Sequence, residues 1–404
     1  MTSVAVPRAR ILLYALMTSL TAISIDAILP GLRFIEAELG SAPPLSSQHV
    51  IVVFVFGMVF GELVIGPASD AIGRKAALLS GLSIYVLGTV IALMAGSLEM
   101  VLLGRFLQGF GVSGPKIATR AIIRDQLAGN DMARVMSFMF TLIILVPMLA
   151  PALGLGVIAL AGWRGIFVLF LAMALALGCW FALRHPETLP RDQRIPFRPG
   201  AFWRNALRIL ANRRVGLLIA ATGLIFGAQL VYLGTAADLF LSLYGITETF
   251  PFYFAALASG IGLASYLNGR LVGHFGTDVM ARAGLWGMCV ASALMLGAAL
   301  VWHGQPPLAL FMALGFAVFA AMGILFGNLN AMAMRSLGQL AGIGASLIAS
   351  GSSLVATLFA SVAGAFYDGT ATALAAGFLV AGIGATGLSI YALRGQVSEI
   401  SAVR

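Results

Sequence analysis

Four ionisable side chains stand inside long apolar runs: Asp26 in SLTAISIDAILPG, Glu62 in VFGELVIG, Arg105 in VLLGRFLQGFG, and Lys116 directly after Pro115. A charge in hydrocarbon costs about 2.5–3.5 kcal/mol on insertion scales, so residues of this kind point to work on a charge or a proton. Asp26 lies some sixteen residues from the inner end of its run and Arg105 about six from the outer end of its own. At about 1.5 Å per helical residue the two share a depth. They could neutralise each other, and the acid could accept a proton whenever that contact breaks. A permanent ion pair is the alternative, but a fixed buried pair is a poor stabiliser beside apolar packing, so proton coupling is preferred. Glu62, eight residues before Asp70, is either a second protonatable group or the partner of a base near the inner mouth. Lys116 either snorkels to the headgroups or lines a cavity, where it holds an anion or pairs with Glu62.

Other chemistries find no support. The two cysteines, Cys179 and Cys289, sit in separate apolar runs, and the four histidines are scattered near run ends as interfacial loop residues. No CxxC, HExxH or GxSxG occurs, so neither a metal site, a cofactor nor an enzyme is expected.

The elements that must hold these groups follow from composition. Hydrophobic residues make up 60% of 404 and charged residues 10%, against roughly a quarter charged in soluble domains. Apolar runs of about twenty residues suffice to cross a bilayer. They place spans near 10–32, 48–69, 76–97, 99–119, 133–158, 164–184, 214–238, 251–272, 282–302, 307–333, 341–365 and 371–393. The expected fold is all-α: twelve transmembrane helices in two six-helix bundles, 1–184 and 214–404, joined by a cytoplasmic segment, 185–213. The first run lacks a small-residue cleavage site and reads as a retained helix. The net charge of +9 does not signal nucleic acid, because the basic residues punctuate the apolar runs. With an inside N-terminus, twenty of the twenty-four basic residues fall on the inner side, which places both termini in the cytoplasm. Within the central segment, FWRNALRIL has the spacing of an amphipathic helix lying on the membrane surface.

Two loops echo each other: GPASDAIGRK (Gly66 to Lys75) and GRLVGHFGTD (Gly269 to Asp278) share glycines at matched positions in the two halves. A duplicated chain of this kind would carry its site near the membrane midplane, between the halves. Pro147 and Pro151, followed by Gly154, suit a hinge in the fifth span. Phe54, Met58, Met136, Met139 and Tyr232 are expected as apolar wall of a substrate cavity.

These residues together resemble the major facilitator superfamily, and within it the twelve-helix drug:proton antiporters of the bicyclomycin/chloramphenicol-resistance type. The superfamily's loop pattern appears as Gly66, Asp70, Gly73, Arg74 and Lys75, with Ala68 and Ala71 departing from it. The fourth-span pattern appears as Arg105, Gln108 and Gly109, and the fifth-span antiporter pattern as Ala150, Pro151, Ala152, Leu153 and Gly154, with Ala150 in place of a leading glycine. SIDAILPGL and the ETLP at Glu187 to Pro190 are further points of likeness. The resemblance implies a monomer in the bacterial inner membrane that expels small, mostly hydrophobic molecules by alternating access. The proton gradient would supply the energy, and Asp26, Arg105 and Glu62 would carry the coupling. It also implies that Asp70 caps the inner end of the eleventh span and that Arg74 pairs with Asp125, latching the gate. A dedicated transporter of one metabolite, an exporter or an uptake symporter, remains the alternative.

Overall fold

Hydrocarbon offers backbone N–H and C=O groups no water to bond with, so a spanning segment must close its hydrogen bonds within itself, as a helix does. The computed structural model describes residues 8–40, 45–127, 129–195, 199–335, 337 and 341–402. Of residues 8, 129–134, 136–144, 199, 201, 202, 205, 341, 342 and 394–402 it describes the backbone alone. Among the described residues there are helices and no strand. They are α1 (Arg8–Asp26), α2 (Leu32–Leu39), α3 (His49–Ile72), α4 (Arg74–Leu93), α5 (Leu98–Gln126), α6 (Gly129–Arg184) and α7 (Pro199–Ala211). There follow α8 (Arg213–Asp238), α9 (Phe250–Phe275), α10 (Thr277–Val301), α11 (Leu308–Met334), α12 (Ala341–Gly364) and α13 (Ala371–Ala402).

Ten described stretches are long and apolar enough to cross a bilayer. One of them, Leu145–Arg184, is two spans, because the helix breaks at Gly162 (φ 66°, ψ −176°). The twelfth span is α5, whose 29 residues include Arg105, Lys116, Arg120 and Arg124 and are correspondingly less apolar. Internal contacts divide the chain into two units, 1–197 and 198–404. Many large apolar side chains face outward, such as Leu160 at 90% and Leu183 at 83% exposed, as lipid-facing positions require. In α7, Trp203, Leu207 and Leu210 are exposed while Ala206 and Ile209 are buried, so the expected amphipathic helix forms.

Three local expectations change. The first span does not run helical to residue 32: α1 stops at Asp26, and Leu29–Gly31 form a 3-10 turn before α2. Pro30 accounts for this, since a proline lacks the N–H and its ring clashes with the carbonyl four residues earlier, here that of Asp26. The loop expected from Gly66 to Lys75 is helical except at Gly73, so Gly66 and Asp70 belong to the end of α3, and Arg74 and Lys75 open α4. The third concerns the expected fifth-span hinge, where the helix shows no break. Backbone dihedrals stay helical through Pro147 and Pro151, the break coming only at Gly162. Gly154 has a different role, because a Cβ there would lie 2.0 Å from the Ala27 carbonyl oxygen. The bare glycine lets α6 touch the broken end of α1.

The repeat is visible in backbone angles. Gly73 joins α3 to α4 at φ 105°, ψ 157°, and Gly276 joins α9 to α10 at φ 80°, ψ 156°. Both lie where only glycine sits without strain. Around the first junction a clasp of charges closes. Arg74 bonds Asp70, donates from Nε to Asp125 at 2.9 Å, and from NH1 to Ser69 Oγ at 3.1 Å. Glu187, beyond the sixth span, accepts the first backbone N–H groups of α4 from Arg74 (3.0 Å) and Lys75 (3.2 Å). It thereby satisfies donors that the start of a helix leaves open, at its positive end. In return, Lys75 Nζ donates to the Ala182 (2.7 Å) and His185 (2.8 Å) carbonyls, covering the other helix's C-terminal end.

His185, just past the end of α6, is 2% exposed, more deeply buried than an interfacial loop residue would be. It stacks on Phe181 and hydrogen-bonds Tyr14 through Nε2 at 2.6 Å. Partial burial alone would raise the Glu187 carboxyl, but the N–H groups of Leu189, Arg74, Lys75 and Thr188 outweigh it and hold the group below the usual carboxylate range.

Two outcomes follow. Gly154→Ala lowers stability by about 1–3 kcal/mol, as overpacking does, while Gly156→Ala, with nothing within 4 Å of its new Cβ, leaves melting of the purified protein unchanged. Glu187→Gln keeps the side-chain shape but lowers stability by about 1 kcal/mol at neutral pH. Since the folded-state pKa is the depressed one, the native advantage is full above the ordinary carboxylate range and narrows as pH falls through it. Melting curves across pH check this, and a constant difference would count against the capping role.

Candidate functional site

The deepest charge is Arg105, fully buried at 0% exposure. Its guanidinium does not meet Asp26. NH2 donates to the Ser24 carbonyl at 2.9 Å, Nε to the Val50 carbonyl at 3.0 Å, and NH1 to Gln108 Oε1 at 2.9 Å. Its carbon lies 4.2 Å from the centre of the Phe54 ring. The expected Asp26–Arg105 contact is therefore absent, and the reason is the break in α1. A helix ending at Asp26 leaves its last carbonyls without N–H partners, and its negative end attracts a cation. Arg105 takes the Ser24 carbonyl, the group that an unbroken helix would have used itself. Gln108 passes the chain on to Thr89 Oγ1 at 2.7 Å, and Ser24 Oγ meets Tyr85 Oη at 2.7 Å.

Asp26 itself is 5% exposed. Among the described residues no side-chain hydrogen bond or ion pair holds its carboxyl. The structure thus separates the two groups the sequence would have joined, while keeping both at the broken end of α1.

A second cluster lies nearer the end of the bundle that carries Gly73. Lys116 Nζ is 2.5 Å from Glu62 Oε1, the pairing the sequence left open, with Glu62 1% and Lys116 22% exposed at their side chains. The other oxygen, Glu62 Oε2, is buried without a hydrogen-bond partner. Arg120, one turn beyond Lys116 on α5, lies on the same face of that helix.

The residues expected as cavity wall do not line an open space in their own bundles. Phe54, Met58 and Tyr232 are 0%, 2% and 1% exposed. Phe54 forms the floor under Arg105, and Tyr232 packs among Phe254 and Phe319 with ring centres 5.7 and 4.8 Å away. In runs that are apolar on every side, sequence alone does not reveal which face turns inward. The side chains of Met136 and Met139 lie outside the described residues. Of the gate residues, Asp70, Gly73, Arg74, Lys75 and Asp125 meet in the clasp described above, with Gly66 two turns back on α3. Sequence reasoning missed His185 and Tyr14, because a lone histidine near a helix end carries no signal of its partner 171 positions away.

Comparison with known proteins sets this geometry in a family. The sequence profile of the Major Facilitator Superfamily matches residues 14–360. A bicyclomycin resistance protein homolog of Haemophilus influenzae is 28% identical over 342 residues, covering 84% of this chain and 85% of that protein. A chloramphenicol resistance protein of Pseudomonas aeruginosa is 28% identical over 300 residues, 74% of this chain and 70% of the other. In structure, the xylose transporter XylE from E. coli superposes with a TM-score of 0.72 over 94% of this chain and 95% of its own, at 14% identity, which speaks to the fold alone. A profile that spans most of the chain, twelve spans in two repeated bundles and the clasp at Gly73 have one consequence: the chain is a multi-pass membrane protein that belongs to the Major Facilitator Superfamily.

Proposed function

We propose that the protein is a proton-coupled exporter of small molecules in the bacterial cytoplasmic membrane, with both termini inside, working as a monomer by alternating access. The observation that carries the coupling is Asp26: a buried carboxyl at the broken end of a spanning helix, held among the described residues by no side-chain hydrogen bond or ion pair. A charged group in such a place sheds its cost by neutralising, so this carboxyl is suited to bind a proton and release it as the helix end changes surroundings. Arg105 supports the role differently from a fixed counter-ion. It anchors the carbonyls of α1 and α3 and so holds the break open beside the acid. The names borne by the relatives, resistance to bicyclomycin and to chloramphenicol, support efflux of compact organic compounds. The clasp at Gly73, with Arg74 between Asp70 and Asp125, is suited to a latch that opens and closes as access alternates.

Asp26→Asn tests the coupling in proteoliposomes. Transport driven by an imposed pH gradient falls to background, while counterflow of preloaded chloramphenicol, which needs no net proton movement, continues. Gradient-driven transport at the native rate in this variant would remove Asp26 as the coupling group.

A further inference from the structure

Three hydrogen-bonding capacities stand unfilled together in the N-terminal bundle. Glu62 Oε2 is buried and without a partner, although Oε1 of the same carboxylate is bound to Lys116 at 2.5 Å. Lys116 Nζ makes that one hydrogen bond out of the three an ammonium can donate. Arg120 is exposed, and no hydrogen bond or ion pair engages its guanidinium among the described residues. Lys116 and Arg120 are four residues apart and so share a face of α5. Buried Thr119 Oγ1, between them in sequence, also lacks a partner.

Burial makes the idle oxygen of Glu62 costly unless something fills it. Lys116 lies three residues before the inner end of the expected fourth span at residue 119 and Arg120 just past it, while Glu62 beside them is 1% exposed at its side chain. A pair that served only to hold helices together would be expected to close both carboxylate oxygens and to match one acid with one base. Here Glu62 meets Lys116 through one oxygen only, the other is idle, and Arg120 adds a second cation on the same face of α5.

We infer that Glu62, Lys116 and Arg120 form a binding site for a zwitterionic small molecule. Lys116 and Arg120 take its anionic group, and the free oxygen of Glu62 takes its ammonium group. The cluster's net charge of +1, two bases against one acid, suits an anionic group, its idle acceptor suits a donor, and a zwitterion carries both on one molecule. The surplus cation disfavours a purely cationic cargo, and a simple carboxylate lacks the donor. A planar guanidinium binds a carboxylate through two parallel hydrogen bonds, while the ammonium of Lys116 holds Glu62 in place between the two halves of the ligand. The site deepens the transport reading by naming the class of cargo, and it rests on that reading for its purpose, though not for its chemistry.

One compound series isolates the two polar groups on a constant apolar body: L-phenylalanine, phenethylamine without the carboxylate, and 3-phenylpropionate without the amine. Binding is read as thermal stabilisation of the detergent-purified full chain, and transport as counterflow in proteoliposomes, with chloramphenicol alongside. L-Phenylalanine outcompetes each truncated analogue by at least ~10-fold, since a site built for a hydrogen bond rejects a ligand that lacks it. Arg120→Gln abolishes the advantage over phenethylamine, Glu62→Gln abolishes the advantage over 3-phenylpropionate, and Arg120→Lys retains most of it. Equal binding of the three compounds, or variants that weaken all three by one factor, overturns the proposal. Selective binding without any counterflow sustains the site and sinks the transport reading. Counterflow of chloramphenicol with no selectivity for L-phenylalanine does the reverse.

Discussion

A bilayer interior gives a polar group nothing to bond with. In this protein that constraint acts most sharply at one place, the end of α1 where Pro30 stops the helix at Asp26. The stop frees backbone carbonyls in the depth of the membrane. Arg105, itself unable to stay there unpartnered, supplies the missing donor to Ser24, bonds the Val50 carbonyl of α3 as well, and reaches Gln108 through a third N–H. From there the contacts run outward through Thr89, Tyr85 and Ser24 Oγ. The break, the cation and the network are one solution to one shortage, and Asp26 sits at its centre without being consumed by it.

Close packing then fixes the break in position. Gly154 lets α6 approach the Ala27 carbonyl to a distance that any Cβ would forbid, so the fifth-span signature serves contact with α1 more than bending. The helix carrying it stays regular through both prolines and yields only at Gly162. The close backbone approach that the glycine permits is the part of the fifth-span pattern visible in three dimensions.

At the other end of the bundle the same shortage is met by exchange between helix ends. Glu187 covers the N–H groups that begin α4, and Lys75 covers carbonyls that end the sixth span. The second unit repeats the junction with inverted charge. Where Arg74 at the start of α4 pairs with Asp125 near the end of α5, Asp278 at the start of α10 pairs at 2.9 Å with Arg335 just after α11. The backbone of the repeat has kept its glycine and its angles, while the charges crossing it have changed sides.

Composition, run length and the spacing of glycine, proline and charge determined much by themselves. They gave twelve spans, the six-plus-six division, the glycine junctions, the amphipathic α7 and the identity of the unusual charges, because a span announces itself locally through length and hydropathy. Partner choice was decided only in the tertiary structure. Asp26 and Arg105 share a depth in sequence, yet the guanidinium goes to helix carbonyls, since backbone groups exposed by a break are invisible in a list of side chains. Glu62 and Lys116 do meet, with one oxygen left over, because the rotation of α3 against α5 is set by packing around the whole helix. Phe54, Met58 and Tyr232 turn inward for the same reason: a helix that is apolar on all sides carries no mark of the face its neighbours will cover.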